Sequence, residues 1–479
     1  MKARLPLWSL LAIVLCDLCA AARQAPDRSR APAVGPPPAL RLPAIQQRTL
    51  TNGLQVWIMG MHKVPTVHLE LAVRGGSAAD PKGRFGLASL TSGMLDEGAG
   101  SKSALQIADG IDFLGAELST EVSVDASYVE LRVPVVRLGD ALPIMADVVA
   151  RPTFPEAELK RLRDERLASL LEAQDDPEQL VQHAFPRVVF GRDHRFGTSA
   201  IGTSTSLEAM TAADLRAFHA AHYRPSNARL IVAGDVSPET IVPVLERAFR
   251  TWTGAPAAAP ARLPDAPQLT ERRVYILDKP DAAQSQIRMG WVGVARSTPD
   301  YFALRVLNTV LGEAFTSRLN TNLREVHGYA YGAGSRFDMR RTAGPFYATA
   351  GVQTDKTAEA LKEFLVELTR IHETLTPDEL VKAKNYLSLQ LPRNFETTRA
   401  AADALAQQFV YDLPLDFYQT YASRVAAVTA ADVRRAAEKY IQPDKFAVVI
   451  VGDRKAIEPG VKALNLGPVT VIEAGGIFK

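Results

Sequence analysis

Apolar and polar positions alternate with a period of two over 54–58 and 67–73, the first run preceded by the turn-forming Thr51-Asn-Gly53, and again over 126–134. Alternation of that kind sends successive side chains to opposite faces, so it predicts half-buried strands. Over 105–114, 136–149 and 156–173 the apolar residues recur every three or four positions, which predicts helices. The succession returns later in the chain, with strands over 274–277 and 286–291, helices over 301–311 and 316–326, then strands over 329–337 and 345–352. Strands and helices are grouped rather than strictly alternating, so the expected fold class is α+β, with antiparallel-rich sheets packed against helices.

The two stretches share a local grammar. Met210-Thr-Ala-Ala-Asp-Leu-Arg216, Pro225 and Val232-Ala-Gly-Asp235 align without a gap on Val428-Thr-Ala-Ala-Asp-Val-Arg434, Pro443 and Ile450-Val-Gly-Asp453. In each copy a threonine, Thr211 or Thr429, is placed to cap a helix, a proline stops it, and a β-branched run ends at Gly-Asp. Two homologous domains are therefore expected, over 45–252 and 270–479, joined by a Pro/Ala-rich linker over 253–269.

The first 22 residues break the pattern: Lys2 and Arg4 precede an apolar run over 5–18, which ends in Cys19-Ala-Ala-Ala22. The run is shorter than the roughly 20 residues a bilayer requires, so it reads as a signal peptide and not as a stable membrane anchor. An exported, periplasmic or extracellular protein is expected, beginning with an extended Pro/Ala-rich tether over 23–44. Cleavage near Ala22 removes Cys16 and Cys19, the chain's two cysteines, leaving no thiol for a disulfide or for a cysteine-ligated metal. Composition adds only exclusions. A net charge of +2 over 479 residues gives no electrostatic reason to expect a nucleic-acid partner, and 47% hydrophobic with 23% charged residues is ordinary for a globular protein.

A duplicated α+β half that opens with Asn52-Gly-Leu54 and Arg74-Gly-Gly-Ser77, followed by Gly86-Leu-Ala88, Asp175-Asp-Pro177, Phe190-Gly191, His194 and Tyr223-Arg-Pro225, resembles the pitrilysin, insulinase and mitochondrial processing peptidase family. The resemblance runs through essentially the whole mature chain. Active members place His-x-x-Glu-His on the helix after Gly-Leu-Ala and a further glutamate on a later helix. Histidines four apart lie on one helix face and can grip one zinc ion, with the intervening glutamate as base for its water. In this chain those positions hold Ser89, Ser92 and Gly93, and the later glutamate's position, counted back from Pro177, is Ser169. A hydroxyl is a poor ligand beside imidazole or carboxylate and glycine offers none, so no metal is expected at these four positions. No Gly-x-Ser-x-Gly elbow is present to recruit the serines as nucleophiles. His219 and His222 share a helix face, but no carboxylate accompanies them, and like His183 and His194 they read as packing or surface residues.

The second half keeps another family element, Leu323-Arg-Glu-Val-His-Gly-Tyr-Ala-Tyr331. In register with active relatives, Arg324 and Tyr331 are the pair that holds the substrate's backbone carbonyl. A guanidinium and a phenol are suitable donors for a polarised carbonyl oxygen. Gly328 is expected to end the helix, which puts Tyr331 on the next strand, facing the same way as Tyr329. The plain alternative is a helix-terminal arginine complementing the dipole and a strand tyrosine in the core. The resemblance implies a non-catalytic subunit that carries no cofactor itself and completes the active site of a zinc-bearing homologous partner for peptide hydrolysis. A catalytically inert peptide-binding or scaffold protein of the same fold is the other reading, because function lives in the site and not in the fold.

Overall fold

The computed structural model describes residues 41–254, 263–373 and 375–479. The expected signal peptide, most of the tether and the middle of the linker lie outside these residues. Alternation in the first half becomes a six-stranded sheet made of β1 (Gln46–Thr49), β2 (Gln55–Gly60), β3 (Thr66–Val73), β4 (Glu117–Val122), β5 (Ser127–Pro134) and β6 (Ala228–Gly234). Their order across the sheet is β1-β2-β6-β3-β5-β4, antiparallel except where β2 runs parallel to β6. The second half builds β7 (Arg273–Asp278), β8 (Gln284–Val292), β9 (Ala330–Phe337), β10 (Pro345–Gln353), β11 (Ala447–Gly452) and β12 (Val469–Ile472). Their order is β9-β10-β8-β11-β7-β12, with β7 parallel to β11.

Reversing that order superimposes the two sheets strand for strand: β2 on β7, β6 on β11, β3 on β8, β5 on β10 and β4 on β9. The duplication read from Thr-Ala-Ala-Asp and Gly-Asp therefore extends to topology. Thr211 and Thr429 cap helices Ala212–His222 and Ala430–Tyr440 in reciprocal boxes with Asp214 and Asp432. Only the outermost strand differs in origin. β1 comes from the start of the half and pairs antiparallel, whereas β12 comes from the end and pairs parallel.

Each sheet has two covered faces. On β3, Val67, Leu69, Leu71 and Val73 are fully buried against the helices of their own half, including Leu138–Ala150. The opposite face carries Trp57, Met59, Ala72, Tyr128, Ile231 and Ala233, and its cover is helix Thr398–Val410 of the second half, through Ala402, Leu405 and Phe409. The exchange is mutual. Helix Pro177–Phe190 of the first half lays Leu180, Val181 and Phe185 on Val449 and Val451 of the second sheet. At about 1.5–3 kcal/mol for each large apolar side chain withdrawn from water, this exchange joins the halves firmly.

Two predicted helices differ in kind. The first is α-helical only over Tyr301–Asn308 and then widens into a π turn over Thr309–Glu313. The second opens with the short helix Arg318–Asn320 and widens over Thr321–Val326. In the first turn, a Cβ on Gly312 would lie 2.1 Å from the backbone nitrogen of Ser335, so the widened turn rests directly on β9 and only glycine fits.

Candidate functional site

Helix Leu87–Gly93, which carries three of the four zinc-motif positions, is held at its start by a buried carboxylate. Asp80 accepts from the backbone nitrogens of Gly86 and Ala88, both at 2.7 Å, and pairs with buried Arg195 at 2.8 Å. Burial pushes the Asp80 carboxyl up and the Arg195 guanidinium down, each opposed by the other's charge. Gly86 has φ +102°, and a Cβ there would lie 2.4 Å from the carbonyl oxygen of Ile201. The Gly-Leu-Ala landmark is thus a packing requirement: Gly86 lets two backbones touch, while Leu87 and Ala88 are buried.

The motif positions themselves offer little to a cation. Ser92 is buried, and its hydroxyl donates to the carbonyl of Glu121 on β4 at 3.3 Å. Ser89 and Gly93 are half-buried, and Ser169, on helix Glu156–Glu172, is exposed. One turn before Ser169 on that helix, Arg166 reaches across and donates from Nη2 to the carbonyl of Ser89 at 2.8 Å. The same nitrogen would lie 3.0 Å from a Cβ on Gly93. Burial lowers the Arg166 guanidinium to about 10, so it is still charged at neutral pH. No carboxylate among the described residues pairs with it. A fixed cation thus sits against two of the positions where active relatives carry zinc-binding histidines, and the residues present do not fit a zinc ion. Among the described residues, no group of three or more His, Cys, Asp or Glu could hold a metal.

The histidines serve packing. His219 donates from Nε2 to the carbonyl oxygen of Val149 at 2.8 Å and stacks on Tyr223, while His222 packs on Phe218 and closes against Gly75. His183 lies on Phe478 and is pushed down to about 4 by burial. His194 accepts from the backbone nitrogen of Phe196 through Nδ1.

In the second half, Arg324 occupies the π turn before Gly328, which has φ +66°. The nitrogen of Gly328 bonds to the carbonyl of Arg324, and that of Tyr329 to the carbonyl of Leu323. Those two bonds form the glycine-terminated helix end expected at Gly328. The expected common facing of Tyr329 and Tyr331 does not survive. β9 has a register break between Ala330 and Ala333, where residues 331 and 332 stand opposite Gly351 alone. Such a bulge interrupts the alternation. Tyr329 stacks on His327 and packs at the edge of the second core, whereas Tyr331 stands out, 85% exposed. Its ring lies 5.0 Å from the Arg324 guanidinium, which also sits 4.8 Å from Phe315. Arg324 and Tyr331 line a cavity of about 780 Å³ whose floor includes Gln286, Arg288 and Thr349 of the second sheet and whose wall takes Glu178 from the first half. None of Ser89, Ser92, Gly93 and Ser169 lines it. The sequence-identified residues therefore form two separate groups.

Two family models match the chain: insulinase (peptidase family M16) over residues 56–203, and the peptidase M16 inactive domain over residues 209–387. An uncharacterized zinc protease of Streptomyces coelicolor is 27% identical, with 86% of this chain and 91% of that protein aligned. One of Rickettsia bellii is 25% identical over 84% of this chain and 96% of its own. Among solved structures, the peptidase M16 inactive domain from Pseudomonas fluorescens is similar with a TM-score of 0.79 at 25% identity, covering 85% of this chain and 98% of that one. A protease from Helicobacter pylori gives a TM-score of 0.78 at 21% identity, over 86% and 100%. The two family models follow one another almost without a gap and together take in more than half of the sequence. With two models of one family matched in succession and relatives aligned along nearly their whole length, the chain belongs to the insulinase (M16) family of peptidases.

Proposed function

We propose that this chain is the non-catalytic subunit of a heterodimeric peptidase, lending Arg324 and Tyr331 to the active site of a zinc-bearing homologue. The observation that carries this reading is the exposure of Tyr331 beside the half-buried Arg324. A cation and a phenol are held together at the mouth of an open cavity, where a core tyrosine has no need to be. Arg166 supplies the counterpart, because a chain with a guanidinium at its own motif must take metal chemistry from elsewhere.

In the complex, zinc held by the partner supplies Lewis acidity and an activated water for peptide hydrolysis. This chain's part is to orient the substrate. The Arg324 guanidinium and the Tyr331 hydroxyl donate hydrogen bonds to the carbonyl oxygen being attacked, and their donation strengthens as that oxygen gains charge. The leader pattern over residues 1–22 supports a role outside the cytoplasm, on peptides or unfolded segments.

The test is to purify the mature chain with and without its zinc-bearing homologue and to assay cleavage of a quenched fluorescent peptide. The lone chain is inactive and the mixture active. Arg324→Ala and Tyr331→Phe each lower kcat of the mixture about 10²-fold, the scale of losing one oxyanion donor. Unchanged turnover in both variants assigns the chain to the inert peptide-binding or scaffold reading.

A further inference from the structure

Next to the Arg324 and Tyr331 cavity, and sharing Gly312, Glu313, Gly334 and Thr349 with it, lies a second cavity of about 660 Å³. A third, of about 310 Å³, continues from it through the common walls Arg296, Tyr301, Arg305, Gln407 and Tyr411. The lining of this continuous groove is unbalanced in charge. Its two carboxylates are already engaged: Glu313 takes Arg305 at 2.6 Å, and Asp338 takes Arg340 at 2.6 Å. No ion pair engages Arg296, Arg336 or Arg393 among the described residues.

Arg296 is held by aromatic faces, 3.5 Å from the Tyr301 centroid and 5.1 Å from that of Phe417, so its guanidinium is fixed without being neutralised. Arg336 stands exposed on edge strand β9, and Arg393 is exposed on the turn Leu391–Phe395. Arg296 lines both cavities, Arg336 the larger and Arg393 the smaller, so like charges follow one another along the groove and a bound anion relieves their repulsion. Planar guanidinium forks match a carboxylate in geometry as well as charge.

We infer that the second half carries a carboxylate-selecting subsite, built by Arg296, Arg336 and Arg393, for an extended peptide whose backbone lies at Arg324 and Tyr331. The inference rests on the peptide-handling role proposed above and adds a preference to it. Tyr331 and Arg336 are five residues apart on β9, but the bulge takes up one of them, so the span is about 13 Å at roughly 3.3 Å per strand residue. The preferred carboxylate therefore lies about four residues along the peptide from the carbonyl gripped by the pair. It comes from an acidic side chain or from the peptide's own C-terminus.

The purified mature chain is titrated into dye-labelled peptides of one sequence by fluorescence anisotropy, at low and at 0.5 M salt. A single Glu is moved along the peptide against a Gln control, and each peptide is made with a free or an amidated C-terminus. A Glu at the favoured position tightens binding about tenfold at low salt, and salt erodes the gain. Preference for Glu in amidated peptides identifies a side-chain carboxylate; preference for the free acid in Glu-free peptides identifies the terminus. Arg296→Gln with Arg393→Gln removes the preference and leaves the amidated Gln peptide's affinity unchanged, while Arg296→Lys with Arg393→Lys keeps part of it. Equal affinity for Glu and Gln peptides and for acid and amide overturns the subsite alone. Failure of every peptide to bind overturns the subsite together with the peptide-handling role.

Discussion

At Ser89 and Gly93 the Arg166 guanidinium excludes a second cation both by charge and by volume. A unit charge about 4 Å from a divalent ion costs several kcal/mol even at an effective dielectric of about 20. Restoring the ligands alone, as Ser89→His, Ser92→Glu, Gly93→His and Ser169→Glu, therefore leaves the protein without stoichiometric zinc. Adding Arg166→Ala to the four raises zinc affinity about 100-fold or more, read as metal content after dialysis against graded chelator. Equal zinc in the two proteins assigns Arg166 no part in the loss. The missing ligands were legible in the sequence, because Ser, Ser, Gly and Ser stand where a metal needs imidazole and carboxylate. Arg166 was not. It lies in Glu156–Glu172, where charged residues fill most turns and read as a solvated surface, and only the packing of that helix on Leu87–Gly93 turns one of them inward.

Glycines at the ends of elements separate two costs that the sequence alone cannot distinguish. Gly328 has φ +66° and open space around the site of a Cβ, so Gly328→Ala pays only the left-handed backbone term, about 1 kcal/mol. Gly86→Ala adds a Cβ 2.4 Å from a carbonyl oxygen at φ +102° and costs above about 3 kcal/mol. Urea midpoints of the two variants check the order, and a smaller loss for Gly86→Ala would show that the Ile201 backbone yields. Strands were the most legible elements, since β2, β3, β5, β8 and β10 alternate openly along the chain. The π turns at Thr309–Glu313 and Thr321–Val326 were hidden because a helical pattern of that length fits either period. The bulge that frees Tyr331 was hidden because nothing but the partner strand reveals an unpaired residue.

Between the halves, helix Thr398–Val410 covers a group of ionisable side chains on the first sheet. Glu70 and Glu130 stand directly opposite each other on β3 and β5, with His68 beside them. From the helix come Asp403, against Glu70, and Arg399, 3.1 Å from Glu130. Burial, then the neighbouring Asp403 and Glu130, raise the Glu70 carboxyl far above the usual range, and burial raises Glu130 to about 7. Burial, then Arg399 and Arg132, lower His68 to about 4. Acids raised in the folded state bind protons that the unfolded chain releases near pH 4.3, so their contribution falls as pH rises from there through the folded values. His68 acts the other way, but only between about pH 4 and its unfolded value near 6.5. Above about pH 6.5 the acids act alone, and stability to urea falls between pH 6.5 and 9. Glu70→Gln flattens that decline; a stability that rises over this interval would refute the assignment. The two halves and their shared topology were visible in the repeated motif. The exchanged cover was not, although Ala402, Ala404, Leu405, Ala406, Phe409 and Val410 make that helix apolar on nearly every side, the signature of one surrounded by protein.

The exchange also sets an order of assembly. As the chain is made from its N-terminus, every strand of the first sheet is available once residue 234 has emerged. Its cover, ending at Val410, is still 176 residues away. Throughout that interval Trp57, Met59, Ile231 and Ala233 face water, an apolar surface that holdase chaperones bind and that neighbouring nascent chains can adhere to. Maturation of this protein is thus gated by its own second half, and a truncation anywhere before Thr398 leaves the first half with a bare sheet face rather than a smaller functional protein.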